Sequence, residues 1–142
     1  MSTYPQDYID TCRARVDAQV GAFRALADAV AAQPNGKATE ALAALEPAFY
    51  NNQVLVLDSY FQHRGRALEG KDGNPINEVR VLCQSILANG DVMTVDKTIK
   101  LNPATSVLGH QVGDPIALSE DDFVALSRAY FAEIESRFAE TP

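Results

Sequence analysis

The sequence has few of the residues that metal and disulfide sites require. Its 142 residues include two cysteines, Cys12 and Cys83, and two histidines, His63 and His110. None of these four forms a close pair with another, so the usual zinc-ligand spacings are missing. Both cysteines fall on apolar helical positions, which is typical of buried thiols in a reducing compartment. We therefore expect no metal, no cofactor and a cytoplasmic location.

Long apolar runs and an excess of basic residues are also missing. No apolar stretch approaches the roughly 18 to 20 residues of a membrane span, and residues 1–10 lack the pattern of a signal peptide. Nineteen acidic against twelve basic side chains give a formal net charge of −7. This charge disfavours general attraction to nucleic acid or to an anionic membrane. We expect neither as a partner.

The composition and the apolar spacing indicate one mainly α-helical domain. With 46% hydrophobic and 22% charged residues, residues 1–142 suit a single globular domain. A first helix is predicted from about Tyr8 to Gln33 and a second from near Thr39. Pro47 predicts that the second helix either kinks there or gives way to a new one. The predicted fold is a single-domain bundle of about four helices.

Two further helices have clear start signals. Asn74 is a predicted N-cap with Pro75 at the first helical position, and Asn89-Gly90 ends this third helix. Ser119, followed by three carboxylates, predicts the start of the last helix. Between them, residues 91–118 are predicted to be irregular or β-like, with two or three short strands. A segment this long is either functional or a cover over the helices.

The last helix carries a wide apolar stripe. Its apolar residues recur at helical spacing: Phe123, Val124, Leu126, Tyr130, Phe131, Ile134 and Phe138. A stripe this wide contacts more than one neighbour, so the helix is either central in the bundle or buried partly against a second subunit. The second alternative predicts a homo-oligomer, in the simplest case a homodimer, or a partner-docking protein.

Basic residues are concentrated only in residues 61–80. The carboxyl end of this segment begins the third helix, whose free N–H groups and positive dipole end suit an anion. Arginine adds a planar fork that can bind a carboxylate or phosphate with two hydrogen bonds. The predicted ligand-binding residues are His63, Arg64, Arg66, Lys71, Asn77 and Arg80. The leading hypothesis is a soluble, non-enzymatic binding module for an anionic small molecule or an acidic peptide.

Other interpretations of the segment remain open. It could be a solvated junction whose charges pair with each other. An enzyme is the other alternative, with His63 beside Glu69, Asp72 or Glu78 as acid or base, so the sequence leaves enzymatic activity uncertain. No phosphate-binding loop, no Gly-x-Ser-x-Gly and no Glu-x-x-His pair supports a more specific chemistry.

Three stretches carry a family resemblance. They are Tyr60–Arg80, Ser106-Val107-Leu108-Gly109 and Gly113-Asp114-Pro115-Ile116. Together they resemble small uncharacterised bacterial proteins with no assigned activity. The resemblance implies a bacterial origin, and it transfers no functional residues to this chain.

Overall fold

The computed structural model describes residues 3–62 and 66–140 as a helical bundle. Its elements are, in chain order, α1 (Gln6–Ala32), α2 (Gly36–Ser59), α3 (Arg66–Glu69), α4 (Pro75–Ala88) and α5 (Glu120–Phe138). The four long helices confirm the predicted mainly α-helical fold. The single-turn helix α3 has too few residues to show an apolar period, and the sequence did not predict it.

Side-chain caps explain where three of the helices begin. The Asn35 side chain accepts hydrogen bonds from the first turn of α2, so this helix starts three residues before the predicted Thr39. Asn74 and Pro75 begin α4 as predicted, and Gly90, at φ +60°, follows its last turn. Ser119 and Asp122 form a reciprocal capping box at the start of α5.

Helices α1 and α2 form an antiparallel hairpin. The Tyr8 hydroxyl, near the start of α1, donates to the carbonyl of Tyr60 after α2, at 2.6 Å. Further along, the Phe23 and Phe49 rings stack with their centroids 5.3 Å apart. Helix α2 continues through Pro47 as one element, so no new helix begins there.

Helix α5 is central in the bundle. The aromatic residues of its apolar stripe are buried in the single chain, including Phe131, which widens the stripe, whereas Val124 is only partly buried. The Phe131 ring lies edge-on to Phe61, with centroids 6.1 Å apart, and the Arg13 guanidinium carbon lies 5.1 Å from its centroid. The stripe therefore provides no exposed aromatic surface for a second subunit, and the homo-oligomer stays a prediction without this support.

Residues 91–118 pack as a cover over the helices through both hydrogen bonds and buried apolar side chains. In this segment the only extended pairing is an isolated bridge between Val92 and Pro115, so the two or three strands expected there do not form. Asn51 of α2 fixes the end of the segment, because its side chain donates to the Ile116 carbonyl at 2.7 Å and accepts from Leu118 N–H at 3.1 Å. Met93, Ile116 and Leu118 are buried by this arrangement.

Cys12 and Cys83 are both buried thiols, as predicted. Among the helices that the structure describes, none is both long and apolar enough to cross a membrane.

Candidate functional site

Three of the six predicted ligand-binding residues line one polar cavity. Lys71, Asn77 and Arg80 contribute to a cavity of about 330 Å³ between α4 and the turn at residues 96–99. Its other lining residues are Glu69, Gly70, Gln84, Asp96, Thr98 and Ile99. His63 and Arg64 lie outside the described residues, and so does the Arg66 side chain, although Arg66 begins α3.

A buried ion pair forms one wall of the polar cavity. Arg80 donates from Nε to Glu69 Oε1 at 2.8 Å and from one terminal nitrogen, Nη2, to Glu69 Oε2 at 2.6 Å. The two side chains are only 16% and 3% exposed. A buried guanidinium and carboxylate each need a partner, and this two-point contact fixes the plane of the Arg80 fork. Arg80 Nη1 makes no hydrogen bond to the described residues.

Asn77 supports the cavity wall from within the protein. Its Nδ2 group donates to the Gly70 carbonyl at 3.0 Å and, more weakly, to Glu69 Oε1 at 3.4 Å. Its Oδ1 accepts from Gly73 N–H at 3.0 Å and from the Asn74 side chain at 3.3 Å. These contacts use the hydrogen-bonding groups of a fully buried amide. Asn77 is therefore a structural residue of the α3–α4 turn, where the sequence suggested a ligand contact.

The start of α4 is already capped. Asn74 Oδ1 accepts from Ile76 N–H at 2.9 Å and from Asn77 N–H at 3.2 Å, while the Asn74 carbonyl accepts from Glu78 N–H at 3.0 Å. Pro75, at the first helical position, has no N–H to offer. The expectation that this helix end presents free donors to an anion was therefore wrong, because the asparagine that begins the helix uses them.

Gly73 allows the close backbone approach that closes the turn. Its φ is +86°, and an added Cβ would lie 2.4 Å from the Lys100 carbonyl oxygen. Nearby, Lys100 N–H donates to the Lys71 carbonyl at 2.9 Å. The missing side chain lets the α3–α4 turn lie directly against the backbone of Lys100 and Leu101.

The opposite wall carries a fixed carboxylate. Asp96 Oδ1 accepts from the Thr98 backbone N–H at 2.9 Å and from its hydroxyl at 2.7 Å. Asp96 Oδ2 accepts from the Gln84 amide at 3.1 Å. These hydrogen bonds, with the Thr98 N–H first, hold the pKa of Asp96 below its ordinary value. The cavity lining therefore combines two cations, Lys71 and Arg80, with two carboxylates, Glu69 paired to Arg80 and Asp96 in the turn at residues 96–99.

Arg137 connects the turn to α5. It donates from Nη1 to the carbonyls of Leu68 and Glu69 at 3.2 and 3.1 Å, and Nη2 lies 3.7 Å from Asp72 Oδ2. The pKa of Asp72 is lowered, first by the hydrogen bond from the Asn74 side chain and to a smaller extent by Arg137. The α3–α4 turn is thus held by contacts from three sides.

Two buried glutamates have structural roles that the sequence did not indicate. Glu69 and Glu78 are both 2% exposed. Glu69 pairs with Arg80, and Glu78 accepts the backbone N–H groups of Val107 and Leu108 at 2.8 and 3.0 Å. The partners of Glu78 are backbone groups in a distant segment, which leave no pattern in the sequence.

Metal ligation and the two histidines were the other candidate features of the sequence. In residues 3–62 and 66–140, no three His, Cys, Asp or Glu side chains are arranged to hold a metal ion. His110 lines a separate, mostly apolar cavity of about 110 Å³ under residues 91–118, and its buried Nδ1 has no hydrogen-bond partner there. The acid–base role of His63 stays a prediction, since that residue is not described.

Comparisons with known proteins assign no family and no function to the chain. The chain matches no protein-family model, no curated protein and no solved structure. The resemblance to small bacterial proteins therefore stays a prediction.

Proposed function

We propose that the protein binds a small molecule through an anionic group held in the polar cavity. One observation carries the proposal: a guanidinium on the cavity wall whose plane is fixed by a buried carboxylate. Glu69 already holds one edge of the Arg80 guanidinium. Binding an anion there therefore costs little further side-chain entropy. Arg80 Nη1 is the donor that the described residues leave for a ligand.

The other lining residues support a small and polar ligand. Lys71 is exposed and lines the cavity, where its ammonium adds a second cation for the same anion. A volume of about 330 Å³ lies at the lower end of the usual range for small-molecule sites. Asp96, which accepts from the Gln84 amide at 3.1 Å, lines the side formed by residues 96–99, so a hydroxyl or amino group next to the anion would have an acceptor. Hydroxy acids and amino acids therefore suit the cavity better than bare inorganic anions.

A thermal-shift experiment tests the proposal. The probes are phosphate, malate, citrate and glutamate, together with a short peptide containing a single glutamate. A ligand at about 100 times its Kd should stabilise the folded protein by about 2.7 kcal/mol. We expect one of the free acids to raise the melting temperature more than phosphate does. If only the peptide stabilises the protein, the ligand is an acidic peptide segment, and the small-molecule assignment is wrong.

A charge-matched pair of variants locates the binding. Lys71→Glu removes a cation at the cavity, whereas Lys37→Glu makes the same charge change near the start of α2, outside the cavity. We expect Lys71→Glu to abolish the ligand-induced shift and Lys37→Glu to retain it. Equal effects of both variants, or a wild-type protein that none of the acids stabilises, would overturn the proposal.

A further inference from the structure

The α1–α2 hairpin extends beyond the packed core. No residue from 24 to 49 is buried, whereas the earlier part of α1 and the later part of α2 supply core residues. On the α1 side, residues 24–32 correspond to about 13 Å of helix at the usual rise. We call residues 24–49 the outer hairpin. None of the helices in the described part of the chain covers it as a third neighbour, because α5 begins only at Glu120, beside Arg24 and Glu46.

An apolar floor lies where the outer hairpin meets α5. A groove of about 570 Å³ is lined there by Phe23 and Ala27 of α1 and by Leu42 and Ala43 of α2. Ala27 and Leu42 are only partly buried against the core. We call this the hairpin groove. Its apolar residues come from two adjacent antiparallel helices, which is the arrangement against which a third helix packs ridges into grooves.

The rim of the hairpin groove is acidic. Asp28, Glu46, Glu120 and Asp121 line it together with a single base, Arg24. Arg24 is already engaged, because it donates from Nε and Nη2 to Glu120 Oε2 at 3.0 and 2.7 Å. Glu46 accepts the Glu120 backbone N–H at 3.0 Å. The lining therefore has an excess of three negative charges around an apolar floor.

We infer that the hairpin groove docks a basic amphipathic helix of a partner protein. The apolar stripe of such a helix would cover Ala27 and Leu42, and lysines or arginines beside the stripe would meet the acidic rim. Charge complementarity selects this occupant over a second copy of the chain, whose net charge of −7 opposes self-association. The groove shares no lining residue with the polar cavity, so the two sites are independent.

A designed peptide tests the docking surface. The probe is a labelled synthetic helix with leucines at positions i, i+3, i+4 and i+7 and lysines flanking them, and its binding is followed by fluorescence anisotropy. A peptide of the same composition in scrambled order is the control. We expect the amphipathic peptide to bind and to shift the NMR amide signals of residues 23–46 and 119–121. Equal binding of the scrambled peptide would overturn the inference.

Charge-reversal variants distinguish a specific rim from the general charge of the protein. Asp28→Lys changes the rim, whereas Glu40→Lys makes the same change at an exposed position that does not line the groove. We expect Asp28→Lys to weaken binding roughly fivefold at low salt and Glu40→Lys to weaken it much less. Equal weakening by both variants would show attraction to the net charge alone and would overturn the inference.

A second pair of variants tests the apolar floor. Leu42→Gln places an amide in the groove, and Leu87→Gln makes the same change at a position on α4 that is 72% exposed. We expect only Leu42→Gln to weaken binding, with circular dichroism confirming that both variants stay helical. Unchanged binding by Leu42→Gln would overturn the inference. So would light scattering in which the wild-type protein alone forms dimers that Leu42→Gln dissociates, because the occupant would then be a second copy.

Discussion

The polar cavity and the hairpin groove differ in how far their charged side chains are buried and paired. At the cavity, Glu69 is almost fully buried and is paired with Arg80 at two points. At the groove, four carboxylates line a partly open surface against one arginine, which is itself 58% exposed. At the cavity, the carboxylate of Glu69 is therefore neutralised by a partner in the same chain. At the groove, an excess of negative charge faces outward.

Because of this difference, substitutions at the cavity and at the groove should affect different properties of the protein. A buried charge that loses its partner cannot be rehydrated, so changes at the cavity should first alter the free energy of unfolding. Exposed charges are screened by water and salt, so changes at the groove should alter binding while the melting temperature stays nearly constant. The predictions below test this separation, beginning with the change that should destabilise the protein most.

Arg80→Met should cause the largest loss of stability. Methionine keeps much of the apolar volume, but it leaves the Glu69 carboxylate without the cation that it contacts at 2.8 and 2.6 Å. We expect the free energy of unfolding to fall by about 3 kcal/mol, as for other broken buried ion pairs. Urea denaturation followed by circular dichroism measures this change.

The double variant Glu69→Leu/Arg80→Met is the matched control. It removes both charges, and we expect it to recover much of the loss seen in Arg80→Met, since apolar replacements of buried pairs are often well tolerated. If Arg80→Met alone were as stable as the wild-type protein, the view that removing one partner of this ion pair destabilises the fold would be wrong.

Glu78→Gln should cause a smaller and more local loss. The glutamate accepts two backbone N–H groups, from Val107 and Leu108, whereas a glutamine offers one carbonyl oxygen and turns an N–H donor toward the other. We expect a loss of about 2 kcal/mol. Hydrogen exchange should speed up at Val107 and Leu108 more than at the buried amides of α5. Glu40→Gln, an exposed change on α2, should leave both measurements unaltered.

The helices could be predicted because their signals are local. Asn74 and Ser119 cap the helices that they were predicted to start, and both caps depend on residues within three positions. Pro47 left two alternatives open because its effect depends on packing beyond its own turn. The parallel bridge between Tyr4 and Ala139 joins opposite ends of the chain, and no local pattern indicates such a pairing.

The candidate site could be predicted only in part, for the same reason. Arg80 and Lys71 were found because basic residues are concentrated in one segment, and both line the cavity. The structural contacts of Asn77 could not be predicted, since its partners Gly70 and Gly73 meet it only once the turn has closed. The hairpin groove was not predicted at all, because it arises from where α5 begins in space relative to α1 and α2.

Tyr50→Phe should cause the smallest change in stability, at a residue whose ring contacts Phe23 in the floor of the hairpin groove. The Tyr50 ring packs on Phe23 and Phe123, while its hydroxyl is buried with no hydrogen-bond partner in the described residues. Removing a polar atom that lacks a partner should keep the free energy of unfolding at neutral pH within about 1 kcal/mol of wild type, on the stabilising side. A loss above roughly 2 kcal/mol would instead show that this hydroxyl has a bound partner such as a water molecule.

The Tyr50 hydroxyl should also make the free energy of unfolding depend on pH in the alkaline range. Burial first, and then the carboxylates of Glu120 and Glu46, raise the pKa of Tyr50 from 10.0 to about 12. The unfolded chain therefore ionises this phenol before the folded protein does, so stability present below pH 10 is lost as the pH rises toward about 12. Tyr50→Phe should lose less stability across that interval in urea denaturation. The pKa of Tyr8 is also raised to about 12, and its hydroxyl donates to the Tyr60 carbonyl. The variant should therefore still lose some stability at alkaline pH. Identical pH profiles for the variant and the wild-type protein would mean that the phenol beside the acidic rim is not held away from solvent.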